Sequence, residues 1–193
     1  ARSGMSFGLG FFLVQLGESS LILLLLVTAA VCIIMGMGLP TVGVYLLLAS
    51  LAAPPLVELG LQPMAAHLFV LYFGMLSMLT PPVAIAAFVA ANMAKAPPMA
   101  TGWEAVRVGW PAYLIPFFFA ASPALLMDGS AGMIAITLIK SLVGVYLVTA
   151  AIVGYLAGRL NLVERLVVVA AGVAIIWPLE TFEGAMWLNL AGV

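Results

Sequence analysis

Long apolar runs, interrupted at a few points by Gly, Pro and hydroxyl side chains, make up most of this chain. A helix rises about 1.5 Å per residue and needs roughly 20 apolar residues to cross the hydrocarbon layer of a membrane, so the interruptions sort the runs by length. Ser6 to Leu16 is apolar but too short to cross, and it lies between Arg2 and Glu18; residues 1–18 are expected to form an interfacial arm. Residues 19–53 read as two helical runs either side of Gly36-Met37-Gly38-Leu39-Pro40-Thr41, closed by Pro54 and Pro55. Glu58 and Gln62 mark a wet loop. Met64 to Leu79 then meets Thr80-Pro81-Pro82 and resumes as Val83 to Ala94, a broken helix over residues 64–94 that completes a unit spanning 19–96. The polar stretch from Lys95 to Arg107 is expected as a loop. Residues 108–127 follow as a transmembrane helix bent by Pro111, Pro116 and Pro123, and residues 128–193 hold the C-terminal membrane helices, Met133 to Ala157 and Leu162 to Leu179. The stretch with Glu180, Glu183 and Trp187 returns to an interface.

Composition identifies the solvent. Hydrophobic residues make up 66% of the 193 and charged residues only 7%, against roughly 25% charged in a soluble domain. The chain therefore reads as an all-α integral membrane protein. A net charge of -1 leaves no basic patch for nucleic acid, and the single cysteine, Cys32, excludes a disulfide framework or a cysteine metal cluster. The first residue is Ala1 and no signal-peptide pattern follows, so the chain reads as the later part of a longer protein. Charge then orients the crossings, because short cytoplasmic loops are enriched in Lys and Arg. Lys95 and Arg107 share one loop and Arg159 and Arg165 another, while Glu58, Asp128, Glu180 and Glu183 lie in or beside the rest. Counting back from the three later crossings puts the Lys95 and Arg159 loops inside, makes 64–94 a single broken crossing, and leaves 19–53 as a re-entrant hairpin that starts and ends outside. Trp103 and Trp110 near the inner face, and Trp177 and Trp187 near the outer one, fit aromatic belts.

Non-helical backbone at membrane depth leaves N–H and C=O groups unpaired, and it survives only where protein or a water-filled cavity satisfies them. Both interruptions combine Pro with a neighbouring Thr, and the hairpin tip adds Gly36 and Gly38 for tight backbone paths. Plain kinks are the bland alternative for either break alone. Two breaks brought to similar depth favour a midplane binding site, in which freed carbonyls bind a cation and helix N-termini face an anion.

The sequence from Gly36 to Thr41 followed by VGVYLLLASLAAP, and then AAHLFVLYFGMLSMLTPPVAIAAFVAANMAKA from Ala65 to Ala96, resembles the large permease subunit of tripartite ATP-independent periplasmic (TRAP) transporters. The likeness is nearest to the fused type that works with TAXI-class binding proteins, and it is specific over about Leu21 to Met127. It implies the second half of an inverted-repeat, elevator-type secondary transporter in a bacterial or archaeal cytoplasmic (inner) membrane. It also implies sodium symport of small organic anions such as carboxylates or amino acids. The implied partners are a periplasmic substrate-binding protein and the N-terminal half of the permease. The implied sodium and substrate residues are Gly36, Met37, Gly38, Leu39, Pro40 and Thr41 at the hairpin tip, and Ser77, Thr80, Pro81, Pro82 and Val83 at the helix break. Na+ is the expected coupling ion, with no organic cofactor and no other metal. One departure is Ala84, where many family members have Gly after TPPV.

The remaining chemistry-bearing residues read as structural. His67 fits a hydrogen-bonded imidazole near a helix end, with a proton relay as the alternative. Lys140 fits a snorkelling side chain or a partner for Asp128. Asn92 fits an interhelical hydrogen bond, and Met35 and Met37 fit flexible packing beside the tip. Glu180 and Glu183 suit either a docked binding protein or a solvated terminus. No HExxH, GxSxG or paired-acid arrangement occurs, so no catalytic residue is expected and the chain is not read as an enzyme. A structural membrane subunit would not need two breaks; a stand-alone sodium/carboxylate symporter would share the fold.

Overall fold

Within lipid a backbone can satisfy its own polar groups only by coiling, which is why the apolar runs become helices and why Gly and Pro decide where they stop. A computed structural model describes residues 21–156 and 158–176, together with Gly8. All named elements among them are helices. The chain divides into two compact units that meet in sequence at Ala120 and Ala121.

In the first unit α1 (Leu21–Gly36) and α2 (Thr41–Leu51) form a helical hairpin, and a short α3 (Ala53–Glu58) follows. α2 ends at Leu51 with Ala52 as its C-cap, so the hairpin closes just ahead of Pro54 and Pro55. They sit in the first turn of α3, where the missing N–H would be unpaired in any case. Pro63 opens α4 (Pro63–Leu76) in the same way, and α5 (Ile85–Ala94) is the second half of the broken helix. The core is built from Leu24, Leu25 and Cys32 of α1, Val44 and Leu48 of α2, Leu56 of α3, and Phe69, Val70 and Phe73 of α4.

Two stretches differ from their sequence reading. Lys95 to Arg107, expected as a loop, is largely α6 (Pro98–Val108), an amphipathic helix with Pro98 in its first turn and Gly102 as its buried residue. Its polar composition hides the helical period, because only a narrow face packs against α5. The expected crossing at 108–127 is divided into α7 (Trp110–Ala121) and a 3-10 turn at Pro123–Leu126. Gly109 separates α7 from α6, and at about 1.5 Å per residue α7 is shorter than the hydrocarbon layer. Phe117 of α7 meets Phe69 and Phe73 of α4 edge-on, with ring centroids 5.3 and 5.5 Å apart.

In the second unit α8 (Ala131–Val153) and α9 (Leu162–Ile176) pack as an antiparallel pair. Among the described residues α8 is the one helix long and apolar enough to cross a membrane. Ser130 caps its start through Met133 N–H, and Gly154, at φ 83, ends it. The Asn161 and Glu164 side chains reciprocally cap the start of α9, accepting from each other's backbone N–H at 2.9 and 2.8 Å. Gly144 and Gly172 let the backbones of the two helices meet: a Cβ at Gly144 would lie 2.7 Å from the Gly172 carbonyl. The interfacial arm expected at 1–18, apart from Gly8, and the expected roles of Trp177, Glu180, Glu183 and Trp187 lie outside the described residues.

Candidate functional site

The hairpin tip is a turn with few backbone bonds. α1 ends at Gly36, Met37 N–H reaches the Ile34 carbonyl at 3.3 Å, and Leu39 N–H reaches the Gly36 carbonyl at 3.4 Å. Gly38 takes φ +80, a conformation that suits a residue without Cβ. Pro40 is extended and precedes α2, whose first turn has no side-chain cap. Its N–H groups at Thr41, Val42 and Gly43 donate to no backbone carbonyl among the described residues.

The break in the second motif is more tightly folded. Thr80 N–H and the Thr80 hydroxyl both donate to the Leu76 carbonyl, at 3.0 and 2.7 Å, and Leu79 N–H reaches the same oxygen at 3.0 Å. That carbonyl is saturated. Ser77, fully buried, donates its hydroxyl proton to the Gly74 carbonyl at 2.6 Å. Pro81 and Pro82 are joined by a cis peptide bond, and Ala86 N–H bridges back to the Met78 carbonyl at 3.0 Å. Ala84 closes the break at φ 26, ψ 48, and α5 starts without a side-chain cap. Among the described residues the carbonyls of Met37, Gly38 and Leu39 in the tip accept no backbone N–H. The same holds for Ser77, Leu79, Pro81, Pro82 and Val83 in the break.

The two motifs touch at Gly36. A Cβ there would lie 2.6 Å from the Gly74 carbonyl oxygen and 2.8 Å from Ser77 Oγ, so the end of α1 meets the end of α4 backbone to backbone. Gly74 is equally constrained from the other side, where a Cβ would lie 2.5 Å from Val44 Cγ1 of α2. Of the residues singled out in the sequence, Gly36, Ser77 and Pro81 are buried, Met37, Thr41, Thr80 and Val83 are half-buried, and Gly38, Leu39, Pro40 and Pro82 are exposed. Gly36 and Ser77 bring the two motifs into contact. Gly38 has open space where a Cβ would stand.

Three participants escaped the sequence reading. Gly74 receives both Gly36 and the Ser77 hydroxyl; its position three residues before Ser77 is the only local sign of it. Tyr113 of α7 bonds the Thr80 hydroxyl, with oxygens 2.8 Å apart, and nothing in its neighbourhood advertises that. Gly102 of α6 lets that helix lie against the break, where its Cβ would be 3.1 Å from Pro81 Cγ.

Neither motif contains an ionisable residue. Among the described residues no group of three or more His, Cys, Asp and Glu is placed to hold a metal ion. A small hard cation is nevertheless served by neutral oxygens, and the open carbonyls and hydroxyls of the two motifs are of that type. Away from this region, His67 Nδ1 and the Tyr45 hydroxyl are 3.2 Å apart, Cys32 is buried and free, Asn92 is exposed and Lys140 is half-buried.

Comparison with curated proteins and with solved structures finds no match. Comparison with known families matches residues 1–132 to the tripartite ATP-independent periplasmic transporter, DctM component. That range covers the hairpin, the broken helix and α6 and α7, which hold every site residue described above. The chain belongs to the DctM family, the large permease component of the tripartite ATP-independent periplasmic transporters.

Proposed function

We propose that this permease component couples sodium entry to the import of small organic anions, and that the hairpin tip and helix break together form one sodium site and half of the substrate pocket. Transport, rather than catalysis, is the business of the family. The observation that carries the more specific reading is the meeting of Gly36 with the Gly74 carbonyl and Ser77 Oγ, which joins two irregular backbone segments at one place.

The chemistry follows from the helix ends. α1 and α4 bring carbonyl-rich C-termini to that meeting, and these favour a cation; α2 and α5 start from the same two interruptions without side-chain caps, and their first-turn N–H groups, Ala86 N–H on the Met78 carbonyl apart, favour an anion. Each ion alone would pay a large desolvation penalty in a dry site, whereas the pair nearly cancels in charge. Binding of one thus favours binding of the other, and the neutral, loaded site is the form best suited to cross the low-dielectric layer. An elevator movement of the hairpin and broken helix, carrying both ions together, uses that property. The binding protein of the TAXI type, delivering substrate from the outer side, and the N-terminal half of the permease, completing the pocket, are the partners of this reading. Its setting is a bacterial or archaeal cytoplasmic membrane.

Gly36→Ala tests it. The added methyl has only backbone carbonyl and a buried hydroxyl to displace. Sodium-driven uptake by the full permease should therefore fall by about tenfold or more, the scale of a 1–3 kcal/mol overpacking strain. Gly132→Ala, which meets nothing within 4 Å, serves as the control and should transport normally. Normal sodium-driven uptake by Gly36→Ala would overturn the assignment of the site to this contact.

A further inference from the structure

We infer that Tyr113, outside both motifs, is a positioning residue that fixes the Thr80 hydroxyl as a coupling-ion ligand; the inference rests on the sodium reading just given. A threonine hydroxyl has one proton and two lone pairs. The Thr80 proton is committed to the Leu76 carbonyl, which is 2.7 Å away and has no proton to offer in return. The 2.8 Å contact between Thr80 Oγ1 and the Tyr113 hydroxyl must then be made by the tyrosine proton. One lone pair of Thr80 remains open.

This arrangement has two consequences. In the bend that follows α4 a threonine side chain has more than one staggered rotamer open to it, and anchoring Thr80 through both its proton and one lone pair holds it in one. A hydroxyl that donates to a carbonyl is also polarised toward greater electron density on its own oxygen, which improves it as a cation ligand. Tyr113 can act as the outer anchor because α7 is fixed independently of the break. Its ring packs on the core of the first unit, and Phe117, one turn further along the same face, meets Phe69 and Phe73 on the regular half of the broken helix. The hydroxyl therefore ties Thr80 to the part of the molecule that does not change direction.

Tyr113→Phe removes the donated proton and keeps the ring. In proteoliposomes holding the full permease, with its binding protein present, the variant should raise the sodium concentration for half-maximal uptake by about three- to tenfold, the range of one hydrogen bond. The rate at saturating sodium should change much less. Thr80→Ala should raise the sodium requirement as well, and adding Tyr113→Phe to it should produce no further rise. Sodium-specific thermal stabilisation in detergent, measured against potassium, should weaken in the same order and gives a readout independent of transport. An unchanged sodium requirement in Tyr113→Phe, with Thr80→Ala strongly affected, would overturn this inference and leave the sodium reading standing. Equal losses of rate and thermal stability from Tyr113→Phe in both backgrounds would show a structural hydroxyl only and also overturn it. If Thr80→Ala left sodium dependence untouched, the sodium reading of the break would fail and this inference with it.

Discussion

Ala84 holds the helix break together at the expense of its own backbone. Its φ of 26 and ψ of 48 lie on the left-handed side, where a Cβ crowds the following carbonyl at a cost of about 1–2 kcal/mol. The residue is also fully buried, so a larger side chain has no room to swing clear. The Gly that the TRAP likeness leads one to expect at this position suits that conformation. Gly would relieve the crowding but give the unfolded chain more freedom to lose, worth about 0.5–1 kcal/mol in the opposite direction. Ala84→Gly is accordingly expected to raise the unfolding temperature of the detergent-solubilised permease slightly, and Ala84→Val to lower it by the equivalent of about 2 kcal/mol or more. A thermal melt of the two variants checks this; Val tolerated as well as Gly would mean the left-handed turn is not needed.

At the scale of elements, the break is braced from two directions. α7 reaches it through the Tyr113 hydroxyl, and α6 lies on it through Gly102, which faces Pro81, Phe88 and Ala84. Gly102→Leu should wedge α6 off the break and reduce uptake by the full permease about tenfold while leaving its sodium dependence recognisable, a loss of the order of 1–3 kcal/mol from overpacking. Uptake equal to wild type would show that α6 does not set the geometry of the break. Gly36 to Thr41 and Thr80 to Pro82 announced their interruptions in the sequence because Pro and Gly act on the backbone of their own residues. α6 did not announce itself, since one buried Gly and a mixed polar surface give a weak period. The division of 108–127 was legible only in part: of the three prolines expected to bend it, Pro123 opens the 3-10 turn while Pro116 stays inside α7, and the continuous apolar composition hides the boundary at Gly109. The Gly36 contact with Gly74 and the Tyr113 bond to Thr80 join residues more than 30 positions apart. No local signal records such a pairing.

For the whole molecule, the loop charges set an expectation about sidedness. Glu58 ends α3 and Arg159 lies between α8 and α9; both are exposed. A cysteine placed at Glu58 should react with a membrane-impermeant thiol reagent from outside intact cells, and one placed at Arg159 should react only after permeabilisation. The reverse labelling would invert the topology. Transport itself decides the central claim most directly. The measurement is uptake of labelled dicarboxylates and amino acids into proteoliposomes containing the full permease, with and without an inward sodium gradient and with and without the periplasmic binding protein. A sodium-coupled, binding-protein-dependent permease predicts uptake only when both are present; uptake needing sodium alone would make it a stand-alone symporter, and uptake indifferent to the sodium gradient would contradict the account.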